Sequence, residues 1–134
     1  MRKIEGHKVN PANDVLDIAV MDRPGSGGAH HHYSITGFDT TGNEANDFGD
    51  GYRACFSRLP VIFQNGPIAE AGVNGVTHEA LIAILIDRLE CFQAGPFANV
   101  YNQTALDSLR VAQEALLTRT RERMARGVEG THQK

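Results

Sequence analysis

Cysteine occurs only twice in this chain, as Cys55 and Cys91. The pair fits neither a metal-ligand spacing nor a redox motif, and the chain opens without a secretory leader pattern. Both thiols are therefore expected to be free, in a reducing cytoplasm. Long hydrophobic runs are also missing: nothing approaches the roughly 20 apolar residues of a membrane span. Basic charge is not in excess. The formal net charge of −3 excludes a global positive field for long nucleic acid, so any anion recognition must come from local patches. No His/Cys/carboxylate constellation has catalytic spacing, so no catalytic residue, metal ligand or cofactor is assigned, and the chain is expected not to be an enzyme.

Smaller signals fail on their own chemistry. His30-His31-His32 follows a glycine-rich linker, and three adjacent imidazoles cannot all face one metal in a regular element. Asp47 and Asp50 do not fill a calcium-loop pattern. The glycines at 25–28 lack the lysine and helix of a phosphate loop. His78 suits capping or packing better than ligation.

What remains is globular material: 134 residues, 41% of them hydrophobic, enough for a modest core at a size where oligomerisation helps stability. Residues 1–29 are weakly patterned, and poor order is expected there, with a short strand or helix at 13–21. Residues 30–75 read as a small antiparallel β region. Strands are expected at 33–38 and 59–64, with Pro60 restricting the second to an edge or a strand start, and a third short strand at 68–73. The stretch 46–58 reads mainly as loop.

Residues 76–134 read as a helical hairpin. Thr77 is a good N-cap. Leu81, Ile82, Leu85, Ile86, Leu89 and Phe92 then cover an arc too wide for one packing partner. Gly95 is expected to end this helix and Pro96 to open the next, which runs to Arg126 before Gly127 stops it. Tyr101, Ala105, Leu109, Ala112 and Leu116 form its expected stripe. At 1.5 Å per residue the second helix would be about 46 Å long against roughly 25 Å for the first. Its last five turns or so would overhang, carrying Leu116, Leu117 and Met124. That surface predicts a homo-oligomer. The fold class is α+β: a small antiparallel sheet followed by a long antiparallel helical hairpin.

Two places suit an anion. The bend Phe92-Gln93-Ala94-Gly95-Pro96-Phe97 offers a helix start with unpaired N–H groups and two rings able to stack on a base. Spacing alone favours an ordinary tight hairpin with its rings packed inside. Arg119, Arg123 and Arg126 share a helix face, and guanidinium forks match phosphate. The plain alternative is a solvated helix end complementing the dipole, with Glu122 as partner.

The run Phe63-Gln64-Asn65-Gly66-Pro67-Ile68, then Gly72-Val73-Asn74-Gly75-Val76-Thr77, Ile86-Asp87-Arg88-Leu89, Phe92 to Ala98, and Arg126-Gly127-Val128-Glu129-Gly130-Thr131-His132 resembles the phage Thoeris anti-defence sponge family. That family shares its helical hairpin with the phage anti-CBASS sponges. The resemblance covers about residues 33–132 and is densest from Phe63. It implies a non-catalytic protein of the infected bacterial cytoplasm that sequesters glyco-cyclic ADP-ribose. Some members also hold cyclic trinucleotides, a class of cyclic oligonucleotide, at a separate site. It further implies dimers that assemble into hexamers. By the same resemblance, Phe92 stacks on adenine, Asn102 supplies a polar contact and Arg119 holds phosphate or ribose, while Arg123 and Thr131 serve the second site. The ligand-binding candidates are thus Phe92, Gln93, Gly95, Pro96, Phe97, Asn102, Arg119, Arg123 and Thr131. Residues 1–29 match nothing in the family, 43–58 is longer than its usual strand connection, and Thr120 stands where paired basic residues are expected. Two other readings remain: a phage structural or scaffold protein whose hairpin only oligomerises, and a hydrolase of the same nucleotides.

Overall fold

A computed structural model of the chain describes residues 1–127. It divides into two compact units, one spanning Met1–Asn65 and the other beginning at Gly66.

The first unit is a four-stranded antiparallel sheet in chain order: β1 (Arg2–Ile4), β2 (Asp17–Val20), β3 (His32–Thr36) and β4 (Arg58–Ile62). The strands expected at 33–38 and 59–64 are present as β3 and β4. Pro60 lies in an edge strand opposite Ser34, as a residue without an N–H requires. The segment 1–29, expected to be poorly ordered, supplies β1 and β2. Each is only three or four residues long, so neither shows a period in the sequence. They form by pairing across the sheet, Lys3 with Ala19 and Ile18 with Ile35. Between them sits α1 (Pro11–Asp14), with Asn10 as N-cap accepting from the Asn13 N–H and Pro11 in the first turn.

The core of this unit is small. Ala19 and Val20 are its buried apolar side chains, beside buried His31 and Ser34. The Ser34 hydroxyl accepts from Arg58 Nη1 at 3.1 Å across the β3–β4 pair. Tyr33 and Phe63 meet edge to face at 5.9 Å. Asp22, just past β2, closes the glycine-rich excursion before β3. Its carboxylate accepts from the N–H groups of His31 (2.9 Å) and His32 (3.1 Å). These bonds, the His31 one foremost, hold its carboxyl below the usual carboxylate range. Gly37 ends β3 at φ +96°, and a Cβ there would lie 1.8 Å from the Val15 carbonyl oxygen, so no other residue fits. The long β3–β4 connection is organised around buried Asn46, whose Nδ2 donates to the Thr40 carbonyl, the Thr40 hydroxyl and the Ala54 carbonyl.

The second unit opens with α2 (Ile68–Ala71), where a third strand at 68–73 was expected. Pro67 presets the first turn and Gly72, at φ +69°, ends it, so the segment closes a single helical turn instead. Then α3 (His78–Gln93) and α4 (Val100–Ala125) form the antiparallel hairpin. The Thr77 hydroxyl caps α3 by accepting from Ala80 N–H at 3.1 Å, as expected. Gly127, at φ +71°, terminates α4 after Arg126. No helix among the described residues is long and apolar enough to cross a membrane.

The inter-helix seam has a regular spacing. Glu79, Leu81, Ile82, Ile86, Leu89 and Gln93 are the covered positions of α3, all but Leu81 at alternating steps of three and four. On α4, Asn102, Leu106, Leu109, Gln113 and Leu116 repeat that spacing, and Ala112, Leu117, Thr120 and Arg123 are half-covered as well. This is the seam of an antiparallel coiled coil. Gln113 Nε2 donates to the Glu79 carbonyl at 3.4 Å at one end, and Gln93 donates to Gln103 Oε1 at 3.1 Å at the other. Of the α4 stripe expected from Tyr101, Leu109, Ala112 and Leu116 are covered, whereas Tyr101 and Ala105 are exposed and Asn102 and Leu106 take their places. Tyr101 is 82% exposed, and Leu106, at 2%, is the buried centre. Because α4 starts at Val100 and not Pro96, it exceeds α3 by 26 − 16 = 10 residues. The overhang is therefore about 15 Å, or about three turns instead of five.

Candidate functional site

The α3–α4 bend is built differently from the sequence expectation. Gly95 does not cap α3 in the left-handed region. The cap is Ala94, whose N–H donates to the Glu90 carbonyl, while the Gly95 N–H donates to the Phe92 carbonyl. Pro96 does not open α4 either. Asn99 does, its Oδ1 accepting from Asn102 N–H at 2.8 Å, because a side-chain acceptor satisfies a helix N–H that proline cannot. Residues 94–99 therefore form a true connection, with Gly95, Pro96 and Phe97 on its outer side.

That connection and the last three turns of α3 enclose an open groove of about 520 Å³, lined by Ile84, Asp87, Arg88, Cys91, Phe92, Gly95, Pro96 and Phe97. Its lining is mostly apolar. Phe92 forms one wall, with the Arg88 guanidinium carbon 5.1 Å above its ring centroid. Phe97 is 73% exposed on the opposite side. The volume suits a planar ring system, and the arginine places positive charge over it. Four of the expected residues, Phe92, Gly95, Pro96 and Phe97, are brought together here.

The other candidates are placed elsewhere. Gln93 is turned into the seam and clasps the connection: Nε2 donates to the Asn99 carbonyl and Oε1 accepts from Asn99 N–H, both at 3.0 Å. Asn102 is half-covered on the seam face of α4. Arg119 is exposed on the overhang, 17 residues beyond Asn102 on one unbroken helix, which is roughly 25 Å. It has no ion pair among the described residues, whereas Arg121 is paired to Glu114 at 2.8 Å. The Glu122 partner expected for this cluster is not formed. Arg123 is half-covered near the helix end, and Thr131 lies outside the described residues.

Ile84, Asp87, Arg88 and Cys91 were not among the expected site residues. Their signal was available: counted back from the bend, positions 91, 88 and 84 recur at helical spacing on the flank carrying Phe92.

Fold and groove together define an α+β chain whose C-terminal helical hairpin carries a ligand-sized, arginine-topped aromatic groove at its bend. Residues 59–121 match the family described as Acb2/Tad1, hairpin domain. Over those residues the chain is similar to that family, as its motifs suggested. The chain is also 50% identical over 74 residues to Thoeris anti-defense 1 of Bacillus phage SBSphiJ7. That match covers 55% of this chain and 52% of the relative, so the chain spans about half the length of the protein it matches.

Proposed function

We propose that this protein is a phage anti-defence factor that binds host immune signalling nucleotides of the glyco-cyclic ADP-ribose type and withholds them from their effectors without cleaving them. Support comes first from the 50% identity to a Thoeris anti-defence protein. The observation that carries the reading on this chain is the aromatic groove at the hairpin bend. Phe92 offers a stacking face for adenine, and Arg88 adds charge beside it.

Asn102 and Arg119 cannot reach one small ligand within a single chain, being roughly 25 Å apart. In this reading the site is completed by a second copy, whose α4 overhang brings Arg119 to the groove. The exposed flank of α3 (Ile84 64%, Leu85 47%) supports such a partner, since a lone hairpin would leave it in water. The assembly is a dimer that builds to a hexamer. Arg123 and Thr131 serve a second site for cyclic trinucleotides. The protein acts in the infected bacterial cell.

Sequestration needs high affinity and slow release instead of turnover. The test is to incubate the protein with glyco-cyclic ADP-ribose, remove free ligand, denature by heat and analyse what is released. Intact ligand, in stoichiometric amount, is the expected result. Fragments, or turnover with ligand in excess, would instead make it a hydrolase. If no ligand is recovered and no signalling nucleotide raises the melting temperature, a scaffold role replaces the proposal. Phe92→Ala with Arg119→Ala should abolish ligand recovery while leaving the oligomer intact.

A further inference from the structure

The two walls of the groove differ in how they are held. Ile84, Asp87, Arg88, Cys91 and Phe92 stand on α3, fixed by helical hydrogen bonds. Gly95, Pro96 and Phe97 stand on a connection with no regular structure. Within it, the backbone bonds from Gly95 N–H to Phe92 (3.2 Å) and from Ala98 N–H to Gly95 (3.3 Å) are both long. Phe97 is too exposed to be fixed by packing.

What locks this wall is a relay from Gln93. Its primary amide pairs with both backbone groups of Asn99 at 3.0 Å, as a neighbouring strand would. Asn99 passes the constraint on in two directions. Its Nδ2 donates to the Phe97 carbonyl at 3.0 Å, and its Oδ1 accepts from Asn102 N–H at 2.8 Å. Gln93 is itself aimed by Gln103, whose Nε2 donates to Asp107 Oδ1 at 2.9 Å. One side chain thus fixes Phe97, which lines the groove, and Asn102, which heads α4.

We infer that Gln93 is a positioning residue of the ligand groove, which sets the 95–97 wall against Phe92 before anything binds and does not itself touch the ligand. This rests on the groove's being a nucleotide site. Ordering a short connection only on binding would subtract its entropy from the affinity, and the clasp removes that cost in advance.

The test compares the full chain with Gln93→Ala, which loses both bonds, and Gln93→Glu. The latter still accepts from Asn99 N–H but cannot donate to its carbonyl. Far-UV circular dichroism confirms that the helices persist. Amide exchange at Asn99 and thiol labelling of Cys91, in a Cys55→Ser background, report the wall without ligand. Association and dissociation rates of glyco-cyclic ADP-ribose report the site. Faster exchange and labelling are expected in Gln93→Ala. Affinity should be roughly tenfold weaker, carried mainly by association, with Gln93→Glu in between. Unchanged exchange and labelling overturn the clasp, whatever binds. A loosened wall with unchanged affinity overturns its role in recognition. Wild-type protein that binds no nucleotide removes the ligand reading and the positioning role with it, while the exchange result still decides the clasp.

Discussion

In the sheet unit, what lies inside is partly polar and largely hydrogen-bonded, with His7 Nδ1 and His31 Nδ1 the buried exceptions. Ser34 is met by Arg58, Asn46 by three acceptors, and the His31 and His32 amides by Asp22. In the hairpin unit, Ile86 and Leu106 are the buried apolar side chains among the described residues. Ile84, Leu85, Val100, Tyr101 and Val111 face solvent on helices of 16 and 26 residues, as does Phe97 on the connection between them. The sheet unit draws its definition from hydrogen bonds that specify one arrangement. The hairpin has a narrow seam and broad uncovered flanks, which suits a module made to be covered by something else. The two units thus differ in kind: one is closed by its own hydrogen bonds, and the other leaves apolar flanks uncovered.

The sharpest way to break this contrast is Gly37→Ala. A Cβ at 1.8 Å from the Val15 carbonyl oxygen, with a left-handed φ, forces the backbone apart. A loss of about 4 kcal/mol is expected in the sheet unit. Hydrogen exchange should show the loss in β2 and β3 while α3 and α4 keep their protection. Equal loss in both units would mean that they fold as one. Leu106→Ala asks the same of the other half. Emptying the most buried hairpin position should remove about 3 kcal/mol, read as a lower melting temperature with the sheet amides still protected.

Asp22 gives a smaller, pH-dependent handle. Its carboxyl is depressed in the folded state, chiefly by the His31 N–H bond. Its contribution is therefore complete above the ordinary carboxylate value near pH 4 and disappears as pH falls through the lower folded value. Asp22→Asn should flatten the acid limb of the sheet unit's stability curve below about pH 4, with hairpin signals as internal reference. An unchanged limb would show that other carboxylates carry it. The smallest effect on folding is expected from Gly95→Ala. Its Cβ would sit 3.7 Å from the Cys91 carbonyl oxygen, an ordinary contact. Stability should change by less than about 0.5 kcal/mol. Because Gly95 lines the groove, the added methyl should still weaken nucleotide binding a few-fold by titration calorimetry, and unchanged affinity would move the ligand away from the bend.

Elements whose cause is local were readable in the chain. Thr77 caps α3, Gly127 stops α4, and Pro60 marks an edge, each through chemistry confined to a few neighbours. Where a distant partner decides, the pattern was silent. Strands β1 and β2 exist through pairing with residues far along the chain, and 68–73 has strand composition but is turned by Pro67 and Gly72 into helix. At the bend, Phe92, Gly95, Pro96 and Phe97 were legible as a group. Gln93 was counted with them, but a glutamine at a helix end does not announce its clasp on Asn99. Arg88 and Cys91 could be found only by counting back from the bend at helical spacing, since by type they are ordinary surface residues.

Pro60 carries one more implication. A sheet whose outer strand includes a residue without an amide proton, and whose other outer strand is only three residues long, is a poor template for adding strands. Copies of this protein therefore have no open-ended route to polymerise through their sheets. The uncovered flanks of the helices are of the other kind, since self-complementary faces of that sort close into finite, symmetric assemblies.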